Sequence, residues 1–349
     1  MELTIQDTQR AKGAAVLGMV MVHLFCRLGN LPYTPLIWIG KTPLIYYLGL
    51  FGDLCVPVFC FCSGYAHYLL KEKCKAAYPK YIAGKILKFL INFWIVLILF
   101  SGVGILSGNG DTMPKSASTF LGNFFLYRLS YNGAWWFVIT YIFLSLLSSQ
   151  LSWVTNKVPA VPLLIISGGI YFVSYQFRFD WSREIPNAAL NWCWQQMILF
   201  GTSQFPYLLG MAFRKNNWIS KLRSYLKDKK PLYQMGWIVV WTMPAVAFVG
   251  HCIVQSAFVA PFTAFAVMIC LFVCRIPQWQ EHVFLVLGKH STNIWLVHMF
   301  FYLTMFEGLV FKAKYPIFIL TYMMVLCIAS SLVIDVLYRI ICNKVFAKK

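Results

Sequence analysis

Two histidines stand in surroundings where an ionisable side chain is expensive: His23 at the end of "KGAAVLGMVMVH" and His298 in "KHSTNIWLVHMF". Neutral imidazole takes a proton from a hydroxyl or attacks a carbonyl, so both positions suit proton transfer or nucleophilic chemistry in a dry interior. A histidine that makes one interhelical hydrogen bond is the plainer alternative.

The spacing around them is helical. Lys12 and His23 are eleven residues apart, roughly three turns plus 20°, so both project from one helix face. Those steps rise about 16 Å, which puts His23 near the middle of a hydrocarbon core roughly 30 Å thick when Lys12 lies at its cytoplasmic edge. Arg27 continues that stripe outward, and Ser291 lies seven residues from His298, about 20° away on its face.

A third polar group sits in "GDLCVPVFCFCSGYAHYLL". Pro57 is incompatible with a helical bond to the carbonyl of Asp53, so a kink or break is expected there. Ser63 supplies a hydroxyl one turn before His67, and Gly64 permits close backbone approach, although small residues in membrane helices also serve packing alone. Asp53, His67, Glu307 and Asp335 complete the ionisable residues at membrane depth.

The elements that must position these groups follow from composition. With 60% hydrophobic and 12% charged residues and a mean hydropathy of +0.66, the chain is outside the range of soluble domains. Apolar stretches at approximately 13–31, 44–70, 86–107, 135–155, 158–177, 194–213, 232–250, 253–274, 291–311 and 316–338 predict an all-α, polytopic bundle of about ten transmembrane helices. Most of the 30 Lys and Arg residues fall on the side of the N-terminus, which predicts two cytoplasmic termini. The net charge of +19 is therefore a topological signal, and no nucleic-acid partner is expected.

Arg10 and Lys12 ahead of the first span resemble a signal-peptide flank, but no small-residue cleavage site follows, so a retained helix is expected. No stretch marks a second soluble domain, and residues 108–134 are too short to bury a core, so residues 1–349 read as one membrane-embedded domain. Eleven cysteines, mostly inside spans, indicate packing rather than a metal or disulfide framework; Cys193 and Cys252 are the one pair placed to bond.

Two loops are expected outside. In "TFLGNFFLYRLSYN", Phe120, Phe124 and Tyr127 share one helical face, as in an interfacial segment. "RFDWSREIPNAALNWCW" sets Trp181, Trp192 and Trp194 beside Asp180, Arg183 and Glu184, a mixture that suits a sugar or an aromatic belt. Inside, Lys85 and Lys88 begin the third span, where they satisfy topology and are also placed to hold the phosphates of an anionic donor.

Taken in order, these segments resemble the acyltransferase-3 family of integral membrane acyltransferases, which acylate glycans and related acceptors. The likeness runs through nearly the whole chain. It is carried by Lys12 and His23 across ten residues, by "VPVFCFCSGY" with Pro57, Phe59, Ser63 and Gly64, and by "YIAGKILKFL" with Lys85 and Lys88. "GAWWFV" with Trp135 and Trp136 and "STNIWLVH" with Trp295 and His298 follow. Lysine stands where the family more often has arginine, and Trp295 where tyrosine is common.

The resemblance implies acyl-coenzyme A, acetyl by default, entering from the cytoplasm, with transfer to a hydroxyl of a carbohydrate or lipid-linked acceptor on the far side. On that basis His23 is the catalytic base or transient acyl carrier. Lys12, Lys85 and Lys88 bind the donor, while Ser63, Trp136 and His298 line the path or orient the reacting groups. No metal is expected. A multi-pass protein of a bacterial cytoplasmic membrane is implied, and a homo-oligomer is compatible with it. The competing function is a transporter or flippase for a glycan or small metabolite that uses the same polar path.

Overall fold

The computed structural model describes residues 2–181, 183–228 and 230–346, with side chains at all of these except 227–240. Within the basic stretch Arg214–Lys230, Lys229 lies outside the described residues, as do Lys348 and Lys349 of the C-terminal basic cluster.

The protein is all-α. Helices in chain order are α1 (Ile5–Phe25), α2 (Leu44–Leu50), α3 (Cys55–Cys74), α4 (Tyr78–Leu106), α5 (Ala117–Phe124), α6 (Trp136–Leu146), α7 (Ser148–Lys157) and α8 (Ala160–Phe179). They continue as α9 (Ala188–Lys215), α10 (Trp218–Asp228), α11 (Lys230–Val254), α12 (Ala260–Val273), α13 (Gln278–Met299), α14 (Glu307–Phe311) and α15 (Pro316–Phe346). Among the described residues the only strands, β1 (Trp38–Ile39) and β2 (Thr42–Pro43), form a small antiparallel hairpin whose turn includes Gly40 at φ 59°.

Among the described residues three helical stretches are long and apolar enough to cross a membrane: Leu44–Leu106, Ala160–Phe179 and Pro316–Phe346. A fourth arises if Gly133–Leu146 and Ser148–Lys157, bent by 57°, act as one. Helix α8 leaves Val161, Ile165 and Ile166 exposed, and α15 leaves Ile317, Phe318 and Val325 exposed, so their outer faces are as apolar as lipid tails. The protein is integral to a membrane.

Two helices have ends other than those read in the sequence. Helix α1 ends at Phe25 rather than near residue 31, because Gly29 takes φ 107° and Pro32 and Pro35 follow. Its first turns carry Asp7, Arg10 and Lys12, which dilute its apolar content. Helix α13 starts at Gln278, well before the apolar run, and includes Glu281 and Lys289. The expected break at Asp53 is present as a 3₁₀ turn, Phe51–Leu54, that separates α2 from α3.

Two compact units are present, each assembled from three segments of chain. The first comprises Met1–Gly18, Asp53–Ile82 and Phe137–Gly288. Its helices α3 and α9 approach through glycine: a Cβ on Gly64 would collide with the Tyr207 carbonyl, and one on Gly210 with the Phe61 carbonyl. His67 Nδ1 lies 2.7 Å from the Tyr207 hydroxyl in the same packed layer. At the start of α1, Asp7 pairs with Arg10 at 2.6 Å and Arg223 at 3.1 Å, while Arg10 reaches Glu281 at 3.0 Å. Burial pushes the Asp7 carboxyl up, but hydrogen bonds from Thr4 and Arg223 outweigh this and hold it below its ordinary value. Cys193 and Cys252, also in this unit, are both free thiols.

The second unit comprises Met19–Gly52, Ala83–Trp136 and Lys289–Lys349. Its core is aromatic, with Phe100 stacked on Phe300 at 4.5 Å and Trp135 edge-on to Phe93 at 4.7 Å. Of the expected aromatic face in the outer loop, Phe120 and Phe124 stack at 6.3 Å, and Phe124 stacks on Trp94 at 4.9 Å. Tyr127 does not join them, because α5 ends at Phe124 and Leu126 turns the chain at φ 65°.

Candidate active site

His23 lies in the last turn of α1, and His298 in the last turn of α13. In the second unit their imidazole centroids are 4.9 Å apart, tilted by 41°. Tyr302 closes the group at 6.0 Å from His23 and 6.1 Å from His298. His23 is half-buried, whereas His298 is fully buried.

His298 Nδ1 lies 2.8 Å from the Trp295 carbonyl oxygen. A carbonyl only accepts, so Nδ1 carries the proton and neutral His298 presents its lone pair at Nε2. Nε2 is buried and has no hydrogen-bond partner among the described residues. A buried nitrogen lone pair left open beside a second imidazole is a proton acceptor awaiting a donor.

The backbone around His298 is clamped by the "NGAWW" turn. Asn132 Nδ2 and Trp135 Nε1 each donate to the Leu296 carbonyl at 2.9 Å, and Trp295 Nε1 donates to the Ala134 carbonyl at 3.0 Å. The Asn132 side chain also caps the turn through the Ala134 N–H at 2.9 Å. With two side-chain donors on Leu296, the helix widens into a π-helical turn, Phe300–Thr304, which carries Tyr302.

Arg27 lies one turn beyond His23. Its guanidinium carbon is 5.4 Å from the Tyr302 ring centroid and 5.9 Å from that of Phe311, and Nη1 lies 3.4 Å from Glu307. A fixed positive charge thus stands over the Tyr302 ring that closes the imidazole group.

The remaining sequence-derived residues fall as follows. Lys85 and Lys88 occupy the early turns of α4, half-buried and exposed respectively, and Lys88 Nζ lies 5.2 Å from the Phe346 ring at the end of α15. That end of α15 carries the negative pole of its helix dipole. Trp136 is half-buried at the start of α6, while its neighbour Trp135 makes the bond to α13. Lys12 and Ser63 belong to the first unit, where Lys12 Nζ sits 5.9 Å from the Phe59 ring and Ser63 is half-buried on α3. The tertiary fold therefore joins His23 to His298 directly. Asn132 and Tyr302 escaped the sequence reading, since neither has a spacing that distinguishes it from ordinary loop or belt residues.

The chain matches the acyltransferase-3 family model, an acyltransferase domain, over residues 9–338. The chain belongs to the acyltransferase-3 family. No curated protein and no solved structure matches it. Acyl transfer needs a base beside a shielded carbonyl, and a neutral imidazole is a side chain suited to that chemistry. No group of three or more His, Cys, Asp or Glu side chains suited to a metal ion occurs among the described residues.

Proposed function

We propose that this acyltransferase moves an acyl group, acetyl by default, from cytosolic acyl-coenzyme A to a hydroxyl of a glycan or lipid-linked acceptor on the extracytoplasmic side of a bacterial cytoplasmic membrane. The observation that carries the reading is the His23–His298 pair, 4.9 Å between centroids, with the His298 tautomer set by Trp295.

In this reading His23, the partner that a substrate reaches, takes the acceptor proton as the hydroxyl oxygen attacks the thioester carbonyl. The carbon–sulfur bond then breaks, and the proton passes to the departing thiolate. His298 Nε2 offers a second resting place for that proton, and Arg27 supports negative charge on the oxygen at the tetrahedral stage. Lys12, Lys85 and Lys88 hold donor phosphates from the cytoplasmic edge, and Ser63 and Trp136 line the path. Ten crossings with both termini inside give the helices the direction this requires.

A recess of about 540 Å³ in the second unit supports the acceptor side. It is lined by Asp111, Lys115, Thr119, Arg128, Ser130 and Tyr131, all capable of hydrogen bonding to hydroxyls.

Membranes containing the protein are supplied with acyl-labelled acetyl-coenzyme A, and both free thiol and label in glycan and lipid fractions are followed. Donor-dependent thiol release with label transfer is expected. Transport of a glycan without thiol release would replace this reading with the transporter.

A further inference from the structure

A buried polar network in the second unit lies outside the imidazole pair. Asn293 on α13 spends both of its amide hydrogens on α15, donating from Nδ2 to Ser331 Oγ at 2.9 Å and to Asp335 Oδ1 at 3.1 Å. His290 Nδ1 lies 2.9 Å from the same Ser331 oxygen and 3.5 Å from Asp335 Oδ2. The Asn293 oxygen is thereby turned toward α4, where it accepts from Asn92 Nδ2 at 2.7 Å.

This chain of bonds fixes which way the Asn92 amide faces. With Nδ2 committed to Asn293, Oδ1 points away from the network and takes no hydrogen bond among the described residues. Asn92 is half-buried, unlike Asn293, which is only 5% exposed. The side chain thus offers one acceptor and one remaining N–H to whatever occupies the adjoining space, a pattern complementary to a secondary amide.

The position along α4 supplies the second argument. Lys85 and Asn92 are seven residues apart, about 20° from one another on the helix face and about 10.5 Å in rise, with Lys88 between them, one turn before Asn92. From Asn293, His298 is five residues, or about 7 Å, further along α13. A molecule with phosphates at Lys85 and Lys88 and its reacting carbon at the imidazoles must therefore reach about 18 Å and pass Asn92 on the way. A phosphopantetheine arm matches four to five extended residues, roughly 15–18 Å, and carries two secondary amides that need partners in a dry passage.

We propose that Asn92 is the amide-recognition station for the pantetheine arm of the acyl donor, with Asn293, Ser331 and Asp335 holding it in orientation. The inference rests on the acyl-coenzyme A reading above.

The test uses the full chain in detergent and compares acetyl-coenzyme A with a carba analogue in which both pantetheine amides are replaced by methylene pairs, reading thiol release. The wild type should show a KM about tenfold higher for the analogue, and Asn92→Ala should bring the two KM values together by raising that of acetyl-coenzyme A. Equal KM values in the wild type, or an undiminished ratio in Asn92→Ala, overturn the station. If Asn92→Ala does not elute as a single species, the wild-type comparison decides alone. Absence of thiol release from either donor by the wild type overturns the acyl-coenzyme A reading itself.

Discussion

His298 donates Nδ1–H to the Trp295 carbonyl at 2.8 Å, three residues back on its own helix, while its ring centroid stands 4.9 Å from that of His23. The first contact decides which nitrogen bears the lone pair, and the second decides what lies next to it. His23→Ala should lower acyl transfer about 10²- to 10⁴-fold, the usual contribution of a positioned base. Label counting in membranes checks this, and undiminished transfer sinks His23 as the catalytic group. His298→Gln should lower kcat at least about tenfold and leave the donor KM unchanged; a change confined to KM would instead make His298 a binding residue.

Trp135 acts through its indole N–H on Leu296, two residues before His298. Trp135→Phe keeps most of the ring packing and deletes that bond, for a loss of about 1 kcal/mol in stability. A kcat reduction of roughly threefold to tenfold is expected together with a lower Tm in detergent. A Tm loss with unaltered kcat would show that the clamp supports only the fold.

The recess of the second unit sets Lys115 and Arg128 against a single carboxylate, Asp111. Arg128→Ala should raise the KM for membrane acceptor about tenfold while donor KM stays put, since a charge-assisted hydrogen bond is lost from one substrate alone. Equal effects on donor and acceptor would remove the recess from the acceptor site.

Asp7 lies ahead of the apolar part of α1 and is held below its ordinary carboxylate value near 3.8 by Thr4 and Arg223, against the upward push of burial. Its contribution is therefore complete above that ordinary value and is lost as pH falls through the lower folded value. Thermal unfolding of the wild type should show this support throughout the neutral range. Asp7→Asn should lower stability by about 2 kcal/mol at pH 7, with the difference shrinking only in strong acid. A gap between the two proteins that does not change with acid would contradict the assignment.

Gly64 faces the Tyr207 carbonyl with no room for a Cβ. Gly64→Val must push α3 and α9 apart, at a cost of about 1–3 kcal/mol for overpacking. Reduced yield of monodisperse protein is the expected result, and normal yield would mean that the helices shift without loss.

Much of this was legible in the chain before folding. Lys12 and His23 share a helix face because eleven residues make roughly three turns plus 20°, a local property that holds wherever the helix lies. Pro57 broke the helix at Asp53 for an equally local reason, the clash of its ring with a carbonyl four residues back. The close approach at Gly64 followed from the missing side chain. Helix ends were less legible: the reach of α1 toward residue 31 was overruled by the positive φ at Gly29.

Sequence by itself thus determined the class of the protein, its apolar helices and the two histidines with the chemistry to act. Only the tertiary structure decided that His23 meets His298, that Trp135 grips α13 through the Leu296 carbonyl, and that Asn132 and Asn92 turn their amides to that same helix. The physical reason is range. Periodicity and ring sterics act over a few bonds, whereas a shared carbonyl at Leu296 or an amide turned by Ser331 and Asp335 joins residues scores to hundreds of positions apart, and no spacing along the chain encodes that meeting.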